Sequence, residues 1–274
     1  MKLDWVTDPH LDHLPTEREL IEFVKLLHNR DSDGLLITGD IAESPTIYEF
    51  LGIISGAYQR PVFFVLGNHD YYRAWMAETR ERVRAVCEAC PPGILNWLTE
   101  SEPLHLKDDV WIAGHDGWYD GLCGLGMQSQ AALTDFVQAG VFDLADAARR
   151  GKLNLFLALK KLGSQAARAV EEQLHSAVEQ GGRRILVLTH FPPFWETSFF
   201  RGRRTSANYA PFYVNKSMGD VLEAFAEEHP NVKLEVFAGH THGKCEVPIR
   251  DNLIVRVGSA RYSHLPQFQE QVLI

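Results

Sequence analysis

The stretch that decides the fold runs from residue 62 to residue 70 and reads Val62-Phe63-Phe64-Val65-Leu66-Gly67-Asn68-His69-Asp70. Its first five residues are apolar and mostly β-branched or aromatic, a composition that favours a buried strand. An amide, an imidazole and a carboxylate follow within four residues of the end of that run. Ionisable groups seldom collect at a strand end without a functional reason, so this stretch indicates a site.

Four other apolar runs are each followed by a short polar motif. In chain order these motifs are Asp8-Pro9-His10, Gly39-Asp40, Thr189-His190 and Gly239-His240-Thr241-His242. Because ligands bind beyond the carboxyl ends of the strands in open α/β sheets, we expect all five motifs to converge there. Besides His69 and Asp70, they supply two carboxylates, one amide oxygen and four imidazoles. Such donors suit divalent metals, and the set is large enough to hold two metals side by side.

The order of the motifs resembles that of the calcineurin-like metallophosphoesterases, whose pattern is D-x-H, G-D, G-N-H-D, H and G-H-x-H. The resemblance runs from residue 8 to residue 242, and no ligand of the pattern is missing. One position departs from it, because Thr7 precedes Asp8 where a serine is common. The resemblance implies an α/β fold, a four-layer α/β/β/α sandwich of two mixed sheets, with the metal site at the carboxyl-terminal edge of the strands.

The resemblance also implies two metal ions, manganese, iron or zinc, as a divalent or mixed-valence pair. The implied ligands are Asp8, His10 and His242 for the first metal, Asn68, His190 and His240 for the second, and Asp40 as the bridge. A bridging carboxylate is physically reasonable, since two cations about 4 Å apart repel each other and need an anion between them. Side chains at i and i+2 of an extended segment point the same way, so that His240 and His242 can address both metals.

The implied reaction is hydrolysis of a phosphate ester, a phosphodiester or a phosphomonoester, by a hydroxide that bridges the metals. Metal binding lowers the pKa of water from about 15.7 toward 7, so hydroxide forms at neutral pH. We expect His69 to protonate the leaving oxygen, and Asp70 to orient the His69 ring and raise its pKa. The alternative is a non-catalytic binding scaffold of the same fold, such as the retromer scaffold subunit. Scaffolds of this kind usually have damaged ligands, whereas this set is complete.

The length and charge of the chain limit the function further. Its 274 residues are 45% hydrophobic, as in a soluble globular protein, and we predict one domain over residues 1–274. The net charge of −9 argues against broad nucleic-acid or membrane binding, but bound metals reverse the sign locally and admit a small phosphate ester. No apolar run reaches 18 residues, so no membrane span is expected. A cleaved signal peptide would remove the strand predicted over residues 3–7, which favours a cytoplasmic location.

Several further elements follow from hydrophobic periodicity and capping signals. A capping box at Thr16-Glu17-Arg18-Glu19 predicts the start of the first helix. Residues 119–163 lack strand signals and predict a helical insertion, after which a new helix starts at Ser164. Residues 191–214 are predicted to be one long loop, of a length typical of functional or mobile segments. Ser217 is predicted to cap a late helix, and strands near 245–249 and 253–257, with the tail at 268–274, to form a second sheet.

Two segments outside the motifs are candidates for substrate contact. Arg201, Arg203 and Arg204 follow aromatic residues in the long loop and predict bidentate and stacking contacts, the alternative being a solvated loop. Trp118 follows a strand and is predicted to reach the rim of the site, the alternative being ordinary loop packing. Six histidines have no motif context and are predicted to be surface or core residues: His13, His28, His105, His175, His229 and His264.

Two competing interpretations find little support. Cys87 and Cys90 form a C-x-x-C that could be a zinc or redox site, but there is no second such pair and a helical pattern precedes it. Two reduced thiols near a helix end are therefore expected. A hydrolase of the metallo-β-lactamase type would need an H-x-H-x-D-H run, which the sequence lacks.

Overall fold

A computed structural model of the chain describes residues 1–137 and 140–274. These residues contain thirteen β-strands and six α-helices, joined by loops and short 3-10 turns. The strands are β1 Lys2–Val6, β2 Gly34–Thr38, β3 Val62–Val65, β4 Leu95–Trp97, β5 Leu104–Lys107, β6 Val110–His115, β7 Arg184–Thr189, β8 Phe199–Phe200, β9 Arg203–Arg204, β10 Lys233–Ala238, β11 Cys245–Arg250, β12 Leu253–Val257 and β13 Val272–Leu273. The helices are α1 Glu17–His28, α2 Ile47–Tyr58, α3 Met76–Ala89, α4 Phe142–Arg149, α5 Lys152–Glu179 and α6 Lys216–Glu228.

The strands form two mixed sheets and a small hairpin. The first sheet has the order β13-β1-β2-β3-β4, in which β13 is antiparallel to β1 and the other pairs are parallel. The second sheet has the order β11-β12-β10-β7-β6-β5, with parallel central strands and an antiparallel strand at each edge. β8 and β9 form the separate hairpin. The predicted pair of mixed sheets is confirmed.

Apolar side chains gather in three cores, which define four layers. In β3, Phe64 faces the helices α1, α2 and α3, while its neighbour Phe63 faces the second sheet. In β7, Val187 faces α5 and α6, while Leu188 faces the first sheet. Alternate residues of a strand point to opposite faces, so strands that are apolar throughout are covered on both sides. The order helices, sheet, sheet, helices is the predicted α/β/β/α sandwich.

The helix starts show which capping predictions hold. Thr16 is the N-cap of α1 as predicted, and its hydroxyl oxygen accepts a hydrogen bond of 3.2 Å from the Arg18 backbone N–H. The prediction that Ser217 caps α6 is wrong, because Asn215 is the N-cap and its side chain accepts from the Met218 N–H at 3.1 Å. The Ser217 hydroxyl donates instead to the carboxylate of Asp120 at 2.8 Å, which leaves the cap position to Asn215.

The segment from residue 119 to residue 179 also differs from expectation. Between residues 119 and 141 the described part of the chain has short 3-10 turns, and the first α-helix there is α4. The helix predicted to begin at Ser164 is in fact part of α5, which is 28 residues long and runs through Gly163. Gly163 is tolerated inside the helix because a Cβ there would lie 2.5 Å from Asp120 Cβ, so the glycine allows close packing against that loop.

The carboxyl-terminal tail and the long loop carry more structure than the sequence indicates. The tail does not join the second sheet, because β13 pairs with β1 of the first sheet. Residues 191–214 contain β8, β9 and two 3-10 turns, so a folded hairpin stands in the predicted loop. Both features depend on pairing between short segments that carry little sequence signal.

The two cysteines of the C-x-x-C pair lie at the carboxyl end of α3. Cys87 and Cys90 are free thiols that pack against the core beside α3, and burial raises the pKa of Cys87 to about 12. A thiol with so high a pKa is inert, which supports the reduced, structural interpretation. Among the helices of the described residues, none has the length and apolarity needed to cross a bilayer.

Candidate metal centre

The five motifs follow β1, β2, β3, β7 and β10 and meet at one edge of the two sheets. The backbone turns sharply at most of the predicted ligands, because five of them have positive φ angles between 40° and 66°: Asp8, His10, Asp40, His240 and His242. A positive φ costs a non-glycine residue of the order of 1–3 kcal/mol, and such strain clusters at functional sites. The turns direct the side chains back across the strand ends.

Glycines allow the turns to lie directly against the ligands. Gly39 has φ +86°, and a Cβ there would lie 2.5 Å from His190 Nδ1. A Cβ on Gly67 would lie 2.2 Å from Asp40 Oδ1. Only glycine fits at either position, so these two motif residues are required by close approach.

One group of predicted ligands consists of Asp8, His10, Asp40 and His242, whose donor atoms lie within 4.8 Å of one another. The Nε2 atoms of His10 and His242 are 3.3 Å apart, and His242 Nε2 is 3.4 Å from Asp8 Oδ1. The other carboxylate oxygen of Asp8 accepts a hydrogen bond from the Thr7 hydroxyl. Thr7 therefore supplies a hydroxyl donor to Asp8 at the position where the family pattern commonly has a serine.

The second group of predicted ligands surrounds the side-chain oxygen of Asn68. Asn68 Oδ1 is 3.1 Å from His190 Nε2 and 3.0 Å from His240 Nδ1. His190 Nε2 is also 3.4 Å from Asp40 Oδ1. The two groups therefore have Asp40 in common, as expected of a bridging ligand.

The two oxygens of Asp40 face different groups. Oδ1 lies toward His190, while Oδ2 lies 3.6 Å from His10 Nε2. Oδ1 accepts a hydrogen bond of 2.9 Å from the His69 backbone N–H, but the buried Oδ2 has no hydrogen-bond partner among the described residues. A buried carboxylate oxygen without a donor is costly unless a cation binds it.

Hydrogen bonds on the far side of two histidine rings set their tautomers. His190 Nδ1–H donates to the Thr38 carbonyl at 2.8 Å, which leaves the lone pair of Nε2 free. His240 Nε2–H donates to the Phe212 carbonyl at 3.3 Å, which leaves the lone pair of Nδ1 free. Both free nitrogens face Asn68 Oδ1, the arrangement of imidazoles held for metal binding by their outer partners.

A buried carboxylate orients the amide of Asn68. Asn68 Nδ2 donates to Asp135 Oδ1 at 3.1 Å and lies 3.2 Å from the Tyr72 hydroxyl. Asp135 also accepts from the hydroxyl of Tyr72 and, at 2.5 Å, from that of Tyr119. Because the amide nitrogen is held on this side, the amide oxygen points to His190 and His240.

The charge balance of the site favours bound cations. Asp8 and Asp40 are 3% and 0% exposed, and their ion-pair partners within residues 1–137 and 140–274 are histidines. Burial, and then the charges of Asp8 and Asp70, raise the pKa of Asp40 well above its ordinary value, while burial lowers the pKa of His10 and His240. Neutral imidazoles do not compensate buried carboxylates, whereas divalent metals do, so the donor set fits two metal ions.

The surroundings of His69 and Asp70 differ from those predicted. The prediction that Asp70 orients the His69 ring is wrong, because its carboxylate accepts hydrogen bonds of 2.7–2.9 Å from the backbone N–H groups of Ile41, Ala42 and Gly67. Asp70 therefore fixes the two glycine turns against each other. Burial, and then nearby imidazoles, lower the pKa of His69 to about 3, the opposite of the predicted rise.

Of the predicted substrate residues, Trp118 is buried, whereas the three arginines are exposed. Trp118 is 2% exposed and packs against Tyr71, Tyr119 and Phe191, so its assignment to the rim is wrong. A large aromatic residue after a strand packs in the core as readily as at a rim.

The three arginines lie on or beside the β8–β9 hairpin and are exposed. The guanidinium groups of Arg201 and Arg204 lie over the rings of Phe200 and Trp195, at 5.1 Å and 4.5 Å. A Cβ on Gly243 would lie 2.1 Å from the Phe199 carbonyl oxygen, so the hairpin packs against the residue after His242. The hairpin thus borders the candidate metal centre.

Three residues at the site were not predicted from the sequence: Asp135, which orients Asn68, His13 and Tyr262. His13 has its ring centroid 5.9 Å from that of His10 and, with Asp12 and Glu43, forms a separate group of potential ligands. The Tyr262 hydroxyl lies 3.1 Å from His69 Nε2. Tyr262 lies five residues beyond β12, and no sequence signal ties it to the strand end.

The fold brings a cluster of buried carboxylates and imidazoles that could hold a metal ion to one edge of the two sheets. The chain belongs to the calcineurin-like phosphoesterase family, whose model matches residues 1–244. No curated protein sequence matches the chain significantly.

Solved structures share the fold at low sequence identity. Protein TT1561 of Thermus thermophilus is 17% identical, with a TM-score of 0.53 over 94% of this chain and 89% of that one. A dimetal phosphatase from Danio rerio is 11% identical, with a TM-score of 0.56 over 94% of this chain and 87% of that one. GAP50, the anchor in the inner membrane complex of Plasmodium, is 13% identical, with a TM-score of 0.51 over 99% of this chain and 77% of that one.

Proposed function

We propose that this protein hydrolyses a small phosphate ester with the help of two metal ions, manganese, iron or zinc. The observation that carries the proposal is the position of Asp40. Its two oxygens face two different sets of donors, with His190 and Asn68 on one side and His10 on the other. A carboxylate in this position suits a bridge between two cations, and two adjacent metals are typical of phosphoester hydrolysis.

The proposed division of ligands is Asp8, His10 and His242 for one metal, Asn68, His190 and His240 for the other, and Asp40 for both. When bound, two metals supply a water of lowered pKa as nucleophile and neutralise the phosphoryl oxygens. The chain contributes the geometry, since strained turns and outer hydrogen bonds hold the donors in place before metal arrives.

His69 is proposed to give a proton to the leaving oxygen. Its backbone N–H donates to Asp40 Oδ1, which places the residue beside the bridge. The pKa of the free ring is low because the ring is buried among other imidazoles. A bound phosphate ester brings negative charge to the site, and negative charge nearby favours the protonated ring.

The arginines of the hairpin are proposed to contact the part of the substrate beyond the phosphate. Arg201, Arg203 and Arg204 are exposed, and the hairpin packs beside His242 through Gly243. Guanidinium groups bind anionic oxygens bidentately and stack on aromatic groups. A charged or aromatic ester is therefore the proposed substrate class.

A binding scaffold is the competing function, and GAP50 is a neighbour in fold that is described as an anchor. The fold alone does not separate the two functions. A scaffold does not need seven converging donors, or hydrogen bonds that fix the rings of His190 and His240. Nor does it need the backbone strain that the positive φ angles of the ligands impose. The complete site supports catalysis.

The test is an activity panel of p-nitrophenyl mono- and diesters and of alkyl phosphate esters. Metal-free protein is loaded separately with manganese, iron or zinc, and the metal content is measured in parallel. We expect hydrolysis of at least one ester class at a metal content near two per chain. Protein that holds two metals but hydrolyses no ester would contradict the proposal and favour the scaffold.

A further inference from the structure

Tyr262 lies against the candidate centre from outside the segment that matches the family. The match ends at residue 244. The ring centroid of Tyr262 is 4.3 Å from that of His10 and 4.8 Å from that of His242. Its hydroxyl lies 3.1 Å from Nε2 of His69. Tyr262 therefore touches two predicted ligands and the proposed proton donor at once.

The His69 ring packs against the rings of His10, His13 and Tyr72, but its one hydrogen bond within the described residues goes to Tyr262. Tyr72 stacks on the His69 ring with centroids 4.3 Å apart and planes 28° apart, which fixes the plane of the ring. Stacking does not decide which edge of the ring faces the site. His69 Nδ1 is buried without a hydrogen-bond partner in the described part of the chain, and Asp70 is occupied by backbone N–H groups. The contact with Tyr262 is thus the hydrogen bond that selects the ring orientation.

The backbone that carries Tyr262 is itself well anchored. β12 is parallel to β10, so its carboxyl end reaches the same sheet edge as His240. The Gly258 N–H donates to the Ala238 carbonyl at 3.0 Å. The side chain of Gln269 makes two hydrogen bonds to the backbone of Ser259, of 3.1 Å and 2.9 Å. These contacts hold the turn that presents Tyr262 to the site.

We infer that Tyr262 is the positioning residue of His69, the role that the sequence assigns to Asp70. This inference rests on the proposed function. In the free protein, the hydroxyl keeps His69 Nε2 turned toward the ligands. In the reaction, the attacking oxygen forms its bond to phosphorus as the bond to the leaving oxygen breaks. The leaving oxygen keeps the electron pair and takes the proton from Nε2, whose direction is already set. Tyr262 is 46% exposed, which gives its side chain room to yield to the substrate.

The test is Tyr262→Phe, which keeps the ring and removes the hydroxyl. We expect kcat for an alkyl phosphate ester to fall roughly 3- to 10-fold, the worth of one neutral hydrogen bond. KM, the metal content and kcat for the p-nitrophenyl ester stay within about twofold, since p-nitrophenolate leaves without a proton. In a His69→Ala background, Tyr262→Phe adds no further loss, because the two residues act as one unit. The control is Tyr48→Phe, another exposed tyrosine, whose hydroxyl donates to Glu49 and which should change nothing.

A spectroscopic readout separates this inference from the proposed function. In metal-free protein labelled with ¹⁵N-histidine, Tyr262→Phe should shift the Nε2 resonance of His69, assigned by its absence in His69→Gln. An unchanged resonance overturns the inference even if the enzyme is active. Equal slowing of alkyl and aryl esters, or a loss that persists in the His69→Ala background, also overturns it. If the wild type hydrolyses no ester but the resonance shifts, the proposed function fails while the contact stands.

Discussion

The side-chain amide nitrogen of Asn68 donates a hydrogen bond of 3.1 Å to the carboxylate of Asp135. The two residues are 67 positions apart in the sequence, and Asp135 is 2% exposed. Asn68 is a predicted ligand of the second metal, whereas Asp135 belongs to the segment between β6 and α4 that was predicted to be a helical insertion. That segment therefore reaches the centre and fixes the direction of a ligand.

We expect Asp135→Asn to weaken the second metal selectively. Without the carboxylate, the Asn68 amide can turn, and loss of such an outer partner typically lowers metal affinity about 10- to 100-fold. The measurement is a metal titration followed by elemental analysis, which should find one metal retained and one lost at limiting concentration. Asp120→Asn is the matched control, because Asp120 is equally buried but binds Ser217 at the start of α6. Loss of both metals together, or of neither, contradicts the prediction.

The ligands could be predicted from the sequence because each directly follows a strand with a strong apolar signal. Gly67-Asn68 after β3 and Gly239-His240 after β10 carry their structural context within a few residues. Asp135 and Tyr262 have no such context, since Asp135 lies in a 3-10 turn and Tyr262 five residues beyond β12. Their positions depend on tertiary contacts between distant segments, which single-sequence patterns do not encode.

Asp40→Asn tests the bridge. The wild type should approach two metals per chain, whereas the variant should retain less than about one and lose nearly all activity, because one carboxylate serves both cations. Asp12→Asn is the informative control, since Asp12, His13 and Glu43 form the other group of potential ligands. Asp12→Asn should keep both metals. A wild-type content of one metal per chain with full activity would exclude the dinuclear mechanism.

His69→Ala separates proton transfer from metal binding. His69 is not among the seven predicted ligands, so the variant should keep both metals and the fold. We expect kcat to fall roughly 10²- to 10⁴-fold for esters with a poor alkoxide leaving group, and much less for p-nitrophenyl esters. Elemental analysis and paired kinetics on both ester types check this. Equal slowing of both types, or loss of metal, would mean that His69 has a structural role.

The arginines of the hairpin should affect KM selectively. Alanine at Arg201, Arg203 or Arg204 should raise KM about 3- to 10-fold for the best charged or aromatic ester of the panel, since each replacement removes one polar contact. KM for methyl phosphate, whose alkyl group is neither charged nor aromatic, should stay unchanged. Arg149→Ala serves as control, because Arg149 is an exposed residue of α4 that pairs with Asp146. An equal rise for both esters would point to misfolding of the hairpin.

The motif that contains Asp70 was located correctly from the sequence, but the role predicted for Asp70 was wrong. The sequence places Asp70 beside His69, and adjacency suggests a pair. In the structure, the turn after Asn68 is a 3-10 turn, and Asp70 points back to Gly67, Ile41 and Ala42. Backbone N–H groups left open by the glycine turns need acceptors, and a buried carboxylate satisfies three of them. The need of these N–H groups for acceptors sets the direction of the Asp70 side chain, and the motif does not indicate that need.

A stability prediction concerns Glu235 of β10, which is not a predicted ligand and is 3% exposed. Burial alone raises the pKa of Glu235, but hydrogen bonds of 2.6 Å from Arg184 and Arg256 outweigh it, and the pKa lies below its ordinary value. A carboxyl group with a lowered folded-state pKa stabilises the fold above its unfolded pKa of about 4.3, and this stabilisation is lost as pH falls through the folded value.

Glu235→Gln should therefore lower the free energy of unfolding by about 1.5–3 kcal/mol at pH 7. The difference from the wild type should shrink at acid pH, where both side chains are neutral. Urea unfolding of metal-free protein at pH 7 and at acid pH measures this, with Glu246→Gln, an exposed partner of Arg256, as the control expected to cost less than about 1 kcal/mol. A loss of the same size at both pH values would show that packing, not charge, accounts for the effect.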